Sequence, residues 1–134
     1  MADNTPDFRP NYRTFWGRLQ SFRYAGQGVA YMLRTQHNAW IHAAISALVA
    51  LVALLLRVSR GDWCLLILAI TSVWTAESFN TALELIVDIA SPDRRPAAGR
   101  AKDIAAGAVL LCAVGAAAIG LLVFVPHIAE LIKR

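Results

Sequence analysis

Three runs without a single Asp, Glu, Lys or Arg, at 39–56, 63–76 and 104–125, decide what this chain can fold into. As a helix, the first run rises about 27 Å, enough for a thin hydrocarbon core. With 134 residues there is room for one domain and no second core. The balance of 57% hydrophobic to 16% charged residues, with a mean hydropathy of +0.50, is too apolar for an ordinary soluble domain of this size. The expected architecture is an all-α membrane protein in which 1–134 form a single membrane domain. Within it, 1–14 form a polar arm, 15–34 a surface helix, and 39–56, 63–90 and 104–125 the membrane helices.

The surface helix is read from amphipathicity. Phe15, Leu19, Phe22, Val29 and Leu33 gather near one direction, with Gln20, Arg23, Gln27 and Arg34 roughly opposite and Arg18 on the wrong side. A basic amphipathic helix carrying Trp16, Tyr24 and Tyr31 suits a membrane surface, and packing against its own spans is compatible with that. Between the spans, Arg57, Ser59, Arg60, Gly61 and Asp62 read as a short polar turn, and Ser91-Pro92-Asp93 ends the second helix. The stretch 92–102 reads as an arginine-rich linker, and Pro126 is expected to break the third span. The arm and surface helix hold Arg9, Arg13, Arg18, Arg23 and Arg34, and the second loop adds Arg94, Arg95, Arg100 and Lys102. The opposite side holds Arg57, Arg60, Lys133 and Arg134, so the N-terminus and second loop are expected in the cytoplasm.

One apolar helix breaks the pattern. Glu77, Asn80, Thr81, Glu84 and Asp88 lie within about 100° of arc on the run Ala76-Glu-Ser-Phe-Asn-Thr-Ala-Leu-Glu-Leu-Ile-Val-Asp88. Ionised carboxylates at membrane depth cost several kcal/mol each unless they are paired, metal-bound or wetted, so this face calls for a compensating cation. Asp93, Asp103, Arg94, Arg95, Arg100 and Lys102 follow within the next twenty residues. Carboxylates that hold a divalent cation, beside basic groups that hold phosphates, are what phosphoryl transfer requires. Glu77, deeper than Glu84, would meet a lipid hydroxyl at the boundary, and a desolvated carboxylate there suits a general base. On spacing alone three readings stay open: interhelical hydrogen-bonding glue, an ion or proton pathway, and a catalytic site. No glycine-rich phosphate loop, Walker-type lysine or zinc-ligand spacing is present, and no nucleic-acid partner is expected. Cys64 and Cys112 read as inert packing thiols.

The segments Phe22-Arg-Tyr-Ala-Gly-Gln-Gly28, Asn38-Ala-Trp-Ile-His42, Glu77-Ser-Phe-Asn-Thr-Ala-Leu-Glu84 with Asp88, and Ala101-Lys-Asp-Ile-Ala-Ala-Gly-Ala-Val109 resemble the prokaryotic diacylglycerol kinase family of small membrane lipid kinases. The resemblance covers about residues 15–126. It implies ATP as co-substrate, magnesium, a membrane lipid alcohol as acceptor, the bacterial inner membrane as location, and a homotrimer with shared active sites. By resemblance Glu77 is the general base at the lipid hydroxyl, Asn80 supports it, and Glu84 is a metal ligand. The nucleotide would be met by Tyr24, Gln36, Glu84, Asp88, Asp93, Arg94, Arg95, Lys102 and Asp103.

One position departs from the family. Where members usually carry a glutamate as second metal ligand, this chain has Gln36, and no carboxylate stands between Asp7 and Asp62. An amide oxygen ligates magnesium without bringing charge, so weaker metal binding is expected, and a catalytically weakened relative that binds without turnover is the alternative. His37 and His42 read as interfacial or packing residues rather than substitute ligands for a hard cation. The Asn38-x-x-Ile-His42 pattern resembles the undecaprenol-phosphorylating branch more than the diacylglycerol branch, so undecaprenol is the preferred acceptor.

Overall fold

The computed structural model describes residues 15–93 and 95–133. Among them the regular structure is entirely helical: α1 (Phe15–Thr35), α2 (His37–Leu55), α3 (Arg60–Ala90) and α4 (Pro96–Ile132). The chain divides into two compact units, Met1–Thr35 and Gln36–Arg134, so α1 belongs to the first and α2 to α4 to the second. On α1, Phe15, Trp16, Leu19, Phe22 and Val29 stand exposed. Thr35 and Ser21 return their hydroxyls to the carbonyls of Tyr31 and Gly17, four residues back in the same helix.

Each of α2, α3 and α4 is long and apolar enough to cross a membrane. The second and third apolar runs lie inside longer helices, and the first overruns α2 by one residue, because backbone and capping chemistry and not hydropathy set where these helices start and stop. Ser59 accepts from the Asp62 backbone N–H at 3.2 Å, while Asp62 Oδ2 accepts from the Ser59 N–H at 3.1 Å. This reciprocal capping box starts α3 at Arg60, so Gly61 and Asp62 belong to its first turn rather than to a loop. Ser59→Ala is therefore expected to lower stability by about 1 kcal/mol, read as a drop in the thermal unfolding midpoint in detergent.

The end of α2 is equally well defined. Val58 donates its N–H to the Ala53 carbonyl and Arg57 to that of Leu54, the two bonds of a Schellman close. Arg57 takes φ of 51°, the left-handed position that glycine usually fills there. Ala53 and Val58 then pack with Leu66 and Val123, bordered by Trp63, Ile119 and Phe124. This small core fixes the α2–α3 turn against α4, at the end of the bundle away from Glu84 and Asp88.

Two expectations are corrected at α4. Its helix begins at Pro96, with Arg95 as N-cap, so the connection from α3 is the five residues 91–95 and not a linker reaching 102. Proline at the first helical position is pre-set in φ and needs no N–H there, and the alanines that follow favour helix despite the charges among them. Nor does Pro126 break the helix, which runs on to Ile132. Proline removes the N–H owed to the Leu122 carbonyl, a loss that membrane helices tolerate when neighbouring groups re-satisfy the backbone. His127 Nδ1 lies 2.8 Å from the Val123 carbonyl beside the proline, and the ring donates in the Nδ1–H tautomer.

α3 packs along much of α4 and more sparingly on α2, where the Trp74 indole N–H reaches Ser46 Oγ at 3.1 Å. Leu65, Leu68, Leu111 and Leu122 are exposed and line neither of the interhelical cavities, a surface suited to lipid.

Candidate active site

The acidic stripe of α3 divides into three levels. Deepest is Glu77, which is 1% exposed, with both carboxylate oxygens buried and without a hydrogen-bond partner among the described residues. It lines a cavity of about 230 Å³ together with Asn80, Asn38 and His42 of α2, and Ala106 and Val109 of α4. The helical spacing of Asn38 and His42 puts both on one face of α2, so one turn of that helix supplies both polar walls. The small and β-branched residues of α4 leave the opposite wall apolar.

One turn along α3, Asn80 Nδ2 donates to Glu84 Oε1 at 3.3 Å, and Gln36 Nε2 donates to Glu84 Oε2 at 3.0 Å. Gln36 occupies the single extended residue preceding α2, with φ −103° and ψ 116°, and its side chain makes no cap bond. That backbone break frees the amide to reach across 48 positions of sequence to α3. Asn80 Oδ1 has no partner among the described residues and is buried beside Glu77.

At the third level Lys102 Nζ meets Asp88 Oδ1 at 2.5 Å, across the short α3–α4 connection. A cavity of about 500 Å³ opens here, lined by Asp88, Ser91, Arg95, Pro96, Gly99 and Lys102. The N-terminus of α4 borders it, where helix amides and dipole favour anions. Asp93 and Asp103 are exposed near the same connection, Arg94 lies outside the described residues, and Tyr24 sits half-exposed within α1.

No three His, Cys, Asp or Glu side chains among the described residues converge as a ready metal cage. The donors at Glu84 fit a different kind of ion. Magnesium is commonly held through one or two carboxylates together with substrate phosphates. Glu84 supplies the carboxylate, and a half rotation of the Gln36 amide exchanges its N and O, turning Oε1 towards it.

A helical membrane chain with a buried carboxylate above an amide–carboxylate cluster and a basic pocket matches the profile of the prokaryotic diacylglycerol kinases over residues 23–124. The chain belongs to that family. It is therefore a lipid kinase of the membrane. It is 38% identical to an undecaprenol kinase of Bacillus subtilis over 82% of this chain and 89% of the relative. It is 40% identical to a diacylglycerol kinase of Synechocystis sp. over 84% of this chain and 65% of that longer relative. No solved structure matches the chain.

His42 and Asn38 share the Glu77 cavity; from sequence the histidine reads as an interfacial or packing residue, and nothing local places the pair beside Glu77. The available signal, their i, i+4 spacing, shows only that they share a face of the helix.

Proposed function

We propose that the protein transfers the γ-phosphate of ATP to the hydroxyl of a membrane lipid alcohol, undecaprenol in preference to diacylglycerol, with Glu77 as general base. The observation that carries this reading is Glu77 itself: a buried carboxylate on a membrane helix, without a hydrogen-bond partner among the described residues and facing a cavity lined by α2, α3 and α4. A carboxylate held in that state costs stability, which structural glue would have relieved by pairing. The likeness of nearly full length to the Bacillus subtilis undecaprenol kinase, together with the Asn38-x-x-Ile-His42 pattern, supports undecaprenol.

In the proposed reaction the lipid hydroxyl enters the Glu77 cavity and attacks the γ-phosphorus in line. The O–P bond forms as the bond to the ADP oxygen breaks, and Glu77 takes the hydroxyl proton. Asn80 bridges the levels, with its Nδ2 on Glu84 and its Oδ1 beside Glu77. Lys102 and Arg95, with the start of α4, would hold phosphate oxygens, and Asp88 keeps the Lys102 ammonium in place. Glu84 and the Gln36 amide oxygen would hold magnesium, which would offset the negative charge of the phosphates. Tyr24, Asp93, Arg94 and Asp103 are proposed nucleotide contacts on the strength of the resemblance. So are the homotrimer with shared sites, the bacterial inner membrane and the cytoplasmic N-terminus, the last also supported by the arginine bias.

Purified protein in detergent, given radiolabelled ATP, magnesium and each lipid, is expected to label undecaprenol faster than diacylglycerol. ATP binding without labelling of any lipid would establish the weakened-relative reading instead. Lys102→Met is expected to raise KM for MgATP about tenfold or more, as removal of a charge-assisted phosphate contact should. Its effect on stability should stay within about 1 kcal/mol, because the Asp88 pair is solvent-exposed.

A further inference from the structure

Glu77 is buried and neither of its oxygens has a hydrogen-bond partner among the described residues, so an ionised carboxylate there calls for a positive charge nearby. The choice of cations is narrow. On α4 the cavity walls are Ala106, Val109, Leu110 and Ala113, none of which carries charge. On α3 the polar wall is Asn80, and the next ionisable group along the stripe, Glu84, is itself acidic. Lys102 and Arg95 line the separate cavity at the α3–α4 connection, where Lys102 is held by Asp88. On α2 the polar walls are Asn38 and His42. Among the described residues, His42 is thus the one group lining the Glu77 cavity that can carry a positive charge.

We propose that His42, as an imidazolium, is the counter-ion that keeps Glu77 ionised while leaving its oxygens free to accept a proton. The inference rests on the reading of Glu77 as the base. The two side chains share a cavity of about 230 Å³ but no hydrogen bond, since both Glu77 oxygens are without a partner. That separation is what a base requires. A contact ion pair would occupy the oxygen that must take up the proton, whereas Coulomb attraction falls only with the inverse of distance and acts across a gap. The surroundings keep screening low: Ile41, Val109, Leu110 and Ala113 wall the cavity, and His42 also borders a larger, almost wholly apolar cavity of about 480 Å³. His42 acts through Glu77 and is therefore a positioning residue, one that sets the charge of the base.

A double-mutant cycle tests the pair. His42→Gln keeps a polar side chain of similar size but no charge, and should lower the thermal unfolding midpoint in detergent at pH 7 by about 5 °C or more. In a Glu77→Gln background the same change should cost about 1 °C or less, because no carboxylate is left without its cation. In the kinase assay His42→Gln should lower kcat about tenfold while KM for MgATP and for the lipid alcohol holds within about twofold. His42→Lys restores a cation, so kcat should recover and the rate should persist to higher pH than in the wild type, since an ammonium keeps its proton well above the range of imidazole. Equal midpoint losses with and without the Glu77 carboxylate would make His42 a packing residue and overturn the counter-ion, as would an unchanged kcat in His42→Gln. Nitrogen NMR of histidine-labelled protein needs no change at His42. Its ring, one of three in the chain, should carry both protons at pH 7 in the wild type and one in Glu77→Gln. The same protonation state in both proteins overturns the proposal. A wild type that labels no lipid sinks the kinase reading alone, because the cycle and the ring signal need no turnover and still decide the counter-ion.

Discussion

Glu77→Gln is expected to lower lipid phosphorylation by about 10²–10⁴-fold while leaving MgATP affinity and the fold intact. The amide has the same shape as the carboxylate but cannot take up the hydroxyl proton at neutral pH. Stability should hold or rise, because the substitution removes an ionisable group whose oxygens are buried and have no partner among the described residues. Three measurements separate the readings of this residue: transfer of radiolabel to lipid, equilibrium binding of nucleotide, and the thermal unfolding midpoint. Loss of labelling alone identifies the base. Loss of labelling, nucleotide binding and midpoint together would mark Glu77 as a structural member of the bundle, and labelling at the wild-type rate would remove it from the chemistry. Glu77-dependent ion flux in liposomes without ATP would instead favour a conduction pathway.

What could be read from sequence depended on how local the physics was. The helical class and the apolar segments followed from runs without charge, since burying a charge in lipid is costly at every position of a span. Helix ends were less legible. Hydropathy marks the charged stretch around Arg100 and Lys102 as a linker, whereas Pro96 at the first helical position and the alanines behind it set the start of α4. The Ser59-x-x-Asp62 spacing fits a capping box, while the composition of 57–62 alone reads as a polar turn. Pro126 was read by its intrinsic cost alone, while the adjoining His127 contact depends on a ring position that no periodicity reveals.

The site shows the same division. The stripe itself is a consequence of 100° per residue, so Glu77, Asn80 and Glu84 could be placed on one face before any packing was known. Which groups oppose them was a tertiary matter. His42 enters the Glu77 cavity because α2 leaves a one-residue break at Gln36 and turns one face to α3, and no local signal fixes that rotation. Asp88 and Lys102 meet because the connection between their helices is only five residues long, which the charge of the segment 92–102 conceals.

Gln36→Glu should make this protein's stability depend on magnesium. The Gln36 amide now donates to Glu84 Oε2 at 3.0 Å, so in the metal-free state the pair is a neutral donor on an anionic acceptor. Glutamate there loses that bond and sets two carboxylates against each other. At a separation near 4 Å, repulsion between two unit charges is on the order of 4 kcal/mol at an effective dielectric of 20. Without magnesium the variant should therefore unfold at lower temperature than the wild type. With magnesium and a non-hydrolysable ATP analogue the order should narrow or reverse, since two carboxylates bind the cation more tightly than a carboxylate and an amide. A tenfold gain in metal affinity corresponds to about 1.4 kcal/mol at saturation. In the kinase assay the same gain appears as a lower magnesium concentration for half-maximal rate, with the preference among lipids unchanged. Equal magnesium requirements in the two proteins would detach Gln36 from the metal and leave it as a hydrogen-bond donor that holds Glu84 in position.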